Sequence, residues 1–388
     1  MSRLRGEVAV VGIGETPYYK RGTSPDPDEK LCLKAIVAAC EDAGIDPRDV
    51  DGFISYGADL NEAPHLTGQL GTRELRWSTL LWGGGAGPSA GVIAAAAAAI
   101  YSGQADTVAV YRSMSESVAG RLSSAVSAGH YLIQYHANGY AAPAQTVGLA
   151  TQRMIEHDGV PRETLRELTL ASYHHAQNNP SANAYGRPLT REDYETSRWV
   201  AEPFRLYDCS RENDGAAAMI LTSAERARHL AKPPAYVLAS GMGGGPGAGA
   251  LEFNHEPFSG GLVKEVATRI YRNAGLGPAD VDVTQVFINF TGGGVASMID
   301  HGLCSVEDAG EKLVFDNLIA PNGGIPVNTA GGDLGHGFLH GMGNALEAVR
   351  QIRGESCNQV PGAEVSLLTG GPMSYLASSA LLGAESTL

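Results

Sequence analysis

Two histidines, His336 and His340, stand four residues apart in the phrase GHGFLHG. An imidazole titrates near neutrality, so either can take or give a proton at physiological pH. At this spacing they would share one helical face, but Gly337 between them predicts a loop-to-helix boundary. A metal site needs a third ligand, and none stands close in sequence, so the expectation is no metal. Proton transfer and bracing of the glycine turn are the readings left for the pair. A second cluster, GHYLIQYHANGY, gathers His130, Tyr135, His136 and Tyr140. It reads as an acid–base group or as a polar lid or dimer contact. The third feature is WGGGAGPSAG at 82–91, a tight glycine turn running into VIAAAAAAI. Loops of this shape surround a reactive group, yet this one holds no cysteine, histidine or acid.

The five cysteines, Cys32, Cys40, Cys209, Cys304 and Cys357, form no CxxC pair and no zinc spacing. An odd count of this kind points to reduced thiols in a cytoplasmic protein. Cys209, in LYDCS, precedes the apolar run DGAAAMIL, which reads as a strand, so a buried and inert thiol is expected there. Asp208 and Asp214 read as turn and cap residues, Asp333 as an acid able to orient a histidine, and NTAGG (328–332) as a turn with unusual backbone angles.

These residues need elements to position them. The segment EVAVVGIGE is an apolar strand broken by Gly12 and Gly14, and 28–43 has helical apolar spacing with Gly44 as its stop. The phrase AGIDPRDVDGFISYG, starting at Ala43, is echoed by AGLGPADVDVTQVFINFTGG, starting at Ala274. The glycine turn and Ala-rich helix of 85–103 are echoed by GFLHGMGNALEAVRQIRG at 337–354. Two echoes in the same order indicate an internal duplication, with halves at 1–230 and 231–388 and an insertion at about 120–205. Alternating strands and helices predict an α/β architecture of mainly parallel sheets covered by helices, with the Ala-rich helix starting near Pro88.

At 388 residues the chain can bury a large core, and 18% charged residues with 50 glycines suit a compact enzyme-like protein. A net charge of −14 repels polyanions, which argues against nucleic acid or an anionic membrane surface as partner. The apolar run at 92–101 is about half of the ~20 residues a membrane span requires, and the N-terminal apolar run is too short for a signal sequence.

The duplicated α/β halves, each with a glycine turn opening a helix, resemble the thiolase fold, a layered αβαβα core. The phrases PAQTVGLATQRMIEHDG, NNPSANAYGRPLTREDYETSRWVAEPFRLYDCSRENDGAAAMILTSAERA and NTAGGDLGHGFLHGMGNALEAVRQIRG resemble the thiolase-like lipid-transfer subfamily, related to the thiolase part of sterol carrier protein X. A thiolase acylates a cysteine in a C-x-S-G turn, and that position here is Gly85. The second thiolase cysteine falls on Leu367 or Leu368, the histidine of G-H-P on Phe338, and the asparagine–glutamate pair on Phe287 and Ile288. Ping-pong acyl transfer is therefore a poor reading.

Cysteine-less members of the subfamily include steroid side-chain aldolases, which cleave a β-hydroxyacyl-CoA by retro-aldol chemistry together with a DUF35 (OB-fold/zinc-ribbon) protein. The resemblance implies a lyase acting on a sterol or aromatic side chain, with coenzyme A as part of the substrate and no bound cofactor. It also implies a homodimer paired through DTVAVYR, the strand after the turn, and a heterotetramer with the DUF35 partner. Amides of Gly84, Gly85, Ala86 and Gly87 would hold the enolate oxygen, and His340, with His336, would move the proton. The turn is otherwise a packing relic. Tyrosines expected in the phrases F-T-Y and G-Y-x-H-G are Gly292 and Phe338 here. That departure keeps two alternatives open, a non-catalytic acyl-CoA-binding or scaffold subunit and an acyltransferase with a relocated nucleophile.

Overall fold

The computed structural model describes residues 2–83, 87–115, 137–140, 142–245, 262–373 and 376–388. Their strands are β1 (Val8–Glu15), β2 (Tyr19–Lys20), β3 (Gly52–Tyr56), β4 (Trp77–Leu81), β5 (Thr107–Met114), β6 (Trp199–Ala201), β7 (Phe204–Arg205), β8 (Asn213–Ser223), β9 (Ala235–Gly243), β10 (Val283–Val286), β11 (Val365–Gly370) and β12 (Ala377–Gly383). Ten of them form one sheet in the order β10-β11-β12-β9-β1-β8-β5-β3-β4, with β2 on the end of β8, and β6 and β7 pair separately.

The sheet is mixed, not mainly parallel as alternation of strands and helices had suggested. Among the described strands β3–β4, β3–β5 and β10–β11 are parallel. The pairs β1–β8, β1–β9, β5–β8, β11–β12 and β12–β9 are antiparallel. The reason is connection length: β11 ends at Gly370 and β12 begins at Ala377, too short a link for a parallel crossover. Read outward from the centre, β1-β8-β5-β3 and β9-β12-β11-β10 repeat the same sequence of senses. The echoed phrases supply the equivalent strands β3 and β10.

Both faces of β1 are covered, and its residues divide between two cores. Ala9 and Val11 pack with the helices Asp28–Ala43 and Leu262–Ala274. Val8 and Val10 pack with the helices Gly91–Tyr101 and Met342–Arg353. The period-2 alternation of a strand thus feeds helices on opposite sides, which is why β1 reads as a continuous apolar run. Gly12 and Gly14 permit the closest approach, since a Cβ at either would collide with backbone atoms of Ala39. A third core joins the helices Pro143–Glu156 and Glu163–Gln177 of the inserted segment to the helix Thr291–Asp300.

Two expectations need correction. DTVAVYR lies in β5, which is hydrogen-bonded on both sides by β8 and β3 and wholly buried, so it has no free edge to offer a second copy. The sheet ends at β10 on one side and at β4 on the other, and the side chains of β4 are half-buried or exposed. The Ala-rich helix begins at Gly91, three residues later than Pro88, because 87–90 form a turn. No helix of the described residues is long and apolar enough to cross a membrane.

Candidate active site

Several loops meet at the ends of β4, β10 and β11. Gly341, after the GHGFLHG phrase, is so close to the glycine turn that a Cβ on it would sit 3.0 Å from Cβ of Ser89 and 3.2 Å from the Phe287 ring. A Cβ on Gly371, just beyond β11, would lie 2.9 Å from Cα of Gly87. The turn and the histidine loop therefore face one another. Gly87 is the one residue of the expected amide set that is described; Gly84, Gly85 and Ala86 lie outside the described residues, as do His130, Tyr135 and His136. Tyr140 is described, half-buried just before the helix that starts at Pro143. Ser89 Oγ is buried without a hydrogen-bond partner, while the Ala90 amide donates to Ser378 Oγ at 3.0 Å.

His340 carries the site's most constrained backbone. Its φ is 52°, a left-handed conformation that costs a non-glycine residue about 1–3 kcal/mol, and Gly341 follows at φ 84°. The pair ends the loop and opens the helix Met342–Arg353. The residue is 7% exposed. Arg112, at the end of β5, places Nη2 at 3.1 Å and Nε at 3.3 Å from His340 Nδ1. The guanidinium is itself fixed: Nη1 donates to Asp59 Oδ2 at 3.0 Å and to the Ser113 carbonyl at 2.9 Å. Asp59 also accepts from the Ser113 amide and from Ser55 Oγ, each at 2.9 Å. Burial, and then the Arg112 charge, push the His340 imidazole well below its ordinary range. Phe338 stands edge-on to the ring at 5.0 Å, and Tyr56 lies 6.5 Å away with Arg112 over its face at 5.6 Å. Tyr56 Oη is buried with no hydrogen-bond partner, and burial pushes its phenol up.

His336 has a different set of neighbours. It caps the short helix Gly332–Gly335, and the chain is non-helical until Met342, so the boundary expected at Gly337 is present. Its ring meets Tyr18 edge-on at 4.9 Å, and its Nε2 lies 3.7 Å from Glu15. Glu15 accepts from Tyr18 at 2.8 Å and from Arg350 at 2.6 Å. Burial would raise the Glu15 carboxyl, but Arg350, His336 and Tyr18 together hold it below the usual range. This cluster ties β1 to the helix Met342–Arg353. Asp333 reaches neither imidazole by a hydrogen bond. It accepts from the Ile288 amide at 2.9 Å and from Asn344 Nδ2 at 3.0 Å, so it ties the chain after β10 to the first turn of the helix Met342–Arg353. Burial pushes its carboxyl up to about 7 despite those donors.

Of the thiols, Cys32, Cys40 and Cys304 are buried, Cys209 is half-buried and not fully buried as expected, and Cys357 is exposed. Burial pushes Cys40, Cys209 and Cys304 up to about 12 and Cys32 well above the usual thiol range. Asp208 is a turn-capping residue as expected, accepting from the Arg205 amide at 2.8 Å, and it is buried, accepting also from Tyr194, Thr291 and Thr169. Asn328 does adopt the left-handed conformation expected in NTAGG, at φ 52°. At Gly292 a Cβ would run into the Thr151 side chain, so the helix Pro143–Glu156 fills the space a tyrosine would need. Among the described residues no three metal-binding side chains converge. Sequence reasoning passed over Arg112, Asp59 and Tyr56. The available signal was a single arginine at the end of an otherwise apolar strand.

Fold and site together define a thiolase-type α/β protein in which the described end of a glycine turn faces a histidine loop. The chain matches the family described as "Thiolase, N-terminal domain" over residues 8–225 and "Thiolase C-terminal domain-like" over 257–383. It is 35% identical over 379 residues to the 17-hydroxy-3-oxo-4-pregnene-20-carboxyl-CoA lyase of Mycobacterium tuberculosis, covering 95% of this chain and 97% of the relative. It is 33% identical to a steroid side-chain-cleaving aldolase of Thermomonospora curvata, covering 99% and 100%. A solved structure titled "Ltp2-ChsH2(DUF35) aldolase" superposes with a TM-score of 0.89 at 32% identity, covering 100% of both chains. Human mitochondrial 3-ketoacyl-CoA thiolase shares the fold, with a TM-score of 0.70 at 16% identity, covering 98% and 99%. The protein belongs to the thiolase family.

Proposed function

We propose that the protein is a carbon–carbon lyase that cleaves a β-hydroxyacyl-CoA by retro-aldol chemistry without an acyl-enzyme. The observation that carries the reading is a buried histidine held opposite a glycine turn in which the acylated residue of a thiolase is replaced by Gly85. End-to-end likeness to relatives named as a CoA lyase and an aldolase supports it. A base takes the β-hydroxyl proton, the oxygen's electrons close to a carbonyl, and the Cα–Cβ bond breaks. The electron pair passes into the thioester as an enolate, which is protonated at Cα to release a shorter acyl-CoA. Donors aimed at the enolate oxygen are the groups that lower this barrier most. His340 and the amides of Gly84, Gly85, Ala86 and Gly87 are proposed for that role. His130, Tyr135, His136 and Tyr140 are the acid–base candidates for the hydroxyl. His336, set in the Glu15–Arg350 cluster, is proposed as a brace for the loop.

The substrate would be a CoA thioester of a sterol or aromatic side chain, with coenzyme A entering as part of the substrate. The reading includes a reducing cytoplasmic setting, a homodimer and a DUF35 partner in a heterotetramer; the solved relative's title names such a partner. The dimer contact proposed is the β4 edge, with Leu80 and Trp82 exposed beside it. One observation favours a non-catalytic acyl-CoA-binding subunit instead: Gly292 and Phe338 stand where the resemblance expects tyrosines. Incubation with steroidal β-hydroxyacyl-CoA thioesters, alone and with a co-expressed DUF35 protein, decides between them by chromatography of the ketone and acyl-CoA products. Absence of cleavage under both conditions would leave the binding-subunit reading.

A further inference from the structure

We infer that Arg112 is a positioning residue that holds His340 as the neutral tautomer with its proton on Nε2, so that the ring offers substrate a hydrogen-bond donor and not a base. The argument starts from the donor inventory. A guanidinium carries only N–H donors and stays protonated in proteins. Two of its nitrogens lie 3.1 and 3.3 Å from His340 Nδ1, and a protonated Nδ1 would set hydrogen against hydrogen there. Nδ1 must therefore accept, which leaves the ring's one proton on Nε2.

Arg112 cannot swing away to relax the constraint. Its side chain is 5% exposed and that of Asp59 is fully buried, and the guanidinium is pinned by Asp59 Oδ2 and the Ser113 carbonyl. The titratable and charged groups around the pair are Asp59, Asp28, Cys32, Tyr56 and Asp333. Asp59 neutralises Arg112, while Asp28 has its carboxyl raised by burial and Cys32 stays a thiol. None of them lies in hydrogen-bond contact with the imidazole, so among the described residues it is the guanidinium that selects the tautomer. The left-handed backbone at residue 340, at φ 52°, fixes where the ring starts. For the enzyme this means that the β-hydroxyl proton goes to another group, and that His340 joins the turn amides as an oxyanion donor.

The catalytic meaning rests on the lyase reading; the tautomer does not. Nitrogen-15 NMR of the intact protein labelled at histidine, with the His340 signals assigned by their loss in His340→Asn, reads the tautomer without substrate. The expected spectrum has an unprotonated Nδ1 and a protonated Nε2, unchanged across the neutral range. A protonated Nδ1, or an imidazolium at pH 7, would overturn the inference even if cleavage occurs. With cleavage in hand, His340→Gln, whose amide still donates, should retain measurable activity. His340→Ala should lose on the order of 10²–10³-fold in kcat, the usual loss for one oxyanion donor. Equal loss in both variants would contradict the donor role. The double variant Arg112→Met/Asp59→Asn, which avoids a lone buried charge, should show both His340 tautomers in the same nitrogen-15 spectrum; a proton still confined to Nε2 would contradict the role of Arg112.

Discussion

Replacing Arg112 by methionine removes the guanidinium paired with Asp59, a carboxylate whose side chain is fully buried. Breaking a buried ion pair from one side typically costs 3–5 kcal/mol, because the remaining charge is stranded in low dielectric. Asp59 would keep the Ser113 amide and Ser55 Oγ as donors, which places the expected loss near the low end, about 3 kcal/mol. Asp59→Asn strands Arg112 instead and should cost about as much. The double variant Arg112→Met/Asp59→Asn strands neither charge. It should lose about as much as one single variant and not their sum, with a coupling energy of about 3 kcal/mol, the upper end for residues in contact. Urea unfolding followed by tryptophan fluorescence of the four proteins gives the cycle. Losses in the single variants that simply add in the double would refute the claim that Asp59 and Arg112 act as one unit behind His340.

Three further outcomes follow from the packing. His301 is buried, donates from Nδ1 to the Ser297 carbonyl and is pushed by burial down to about 4. A folded pKa below the unfolded value of about 6.5 means that the unfolded chain binds the extra proton, so its stability contribution is complete above pH ~6.5 and is lost as pH falls toward 4. His301→Gln should therefore shrink the stability difference between pH 7 and pH 5 by about 2 kcal/mol, read from urea midpoints at both pH values; an unchanged difference would show that His301 is not buried neutral. Gly292→Ala should cost about 1–3 kcal/mol by overpacking against Thr151, and Thr151→Ala in the same chain should recover part of the loss, which thermal unfolding can measure. A thiol-reactive chromophore at pH 7.5 should label exposed Cys357 quickly and Cys32, Cys40, Cys209 and Cys304 slowly, with all five reacting in denaturant. Rapid labelling of Cys209 in the folded protein would contradict its raised thiol.

Local signals carried much of the fold. The helix Asp28–Ala43 ends at a left-handed Gly44, as apolar spacing and a single glycine indicated. The echoed phrases led to β3 and β10 in equivalent places of the sheet because each strand is specified by a short contiguous run. Strand senses and edges were not legible, since they depend on which distant strands pair. β5 has the apolar composition of a strand that could sit anywhere, and only its pairing with β8 and β3 makes it internal. The approach of the histidine loop to the glycine turn was legible only through the family resemblance. Arg112 and Asp59 were not legible, because Arg112 meets Asp59 across 53 residues and His340 across 228. Nothing in YRSMS or GADLN signals that they meet beside GHGFLHG.

The central claim is carbon–carbon cleavage by a thiolase-family protein that never becomes acylated. Mixing the protein, with its DUF35 partner where one is required, with a steroidal β-hydroxyacyl-CoA and following products together with the intact protein mass tests it in one measurement. Appearance of the ketone and the shortened acyl-CoA with the protein mass unchanged throughout turnover is the predicted result. A mass increase equal to an acyl group, mapping to Cys209, Cys304 or any other cysteine, would contradict it.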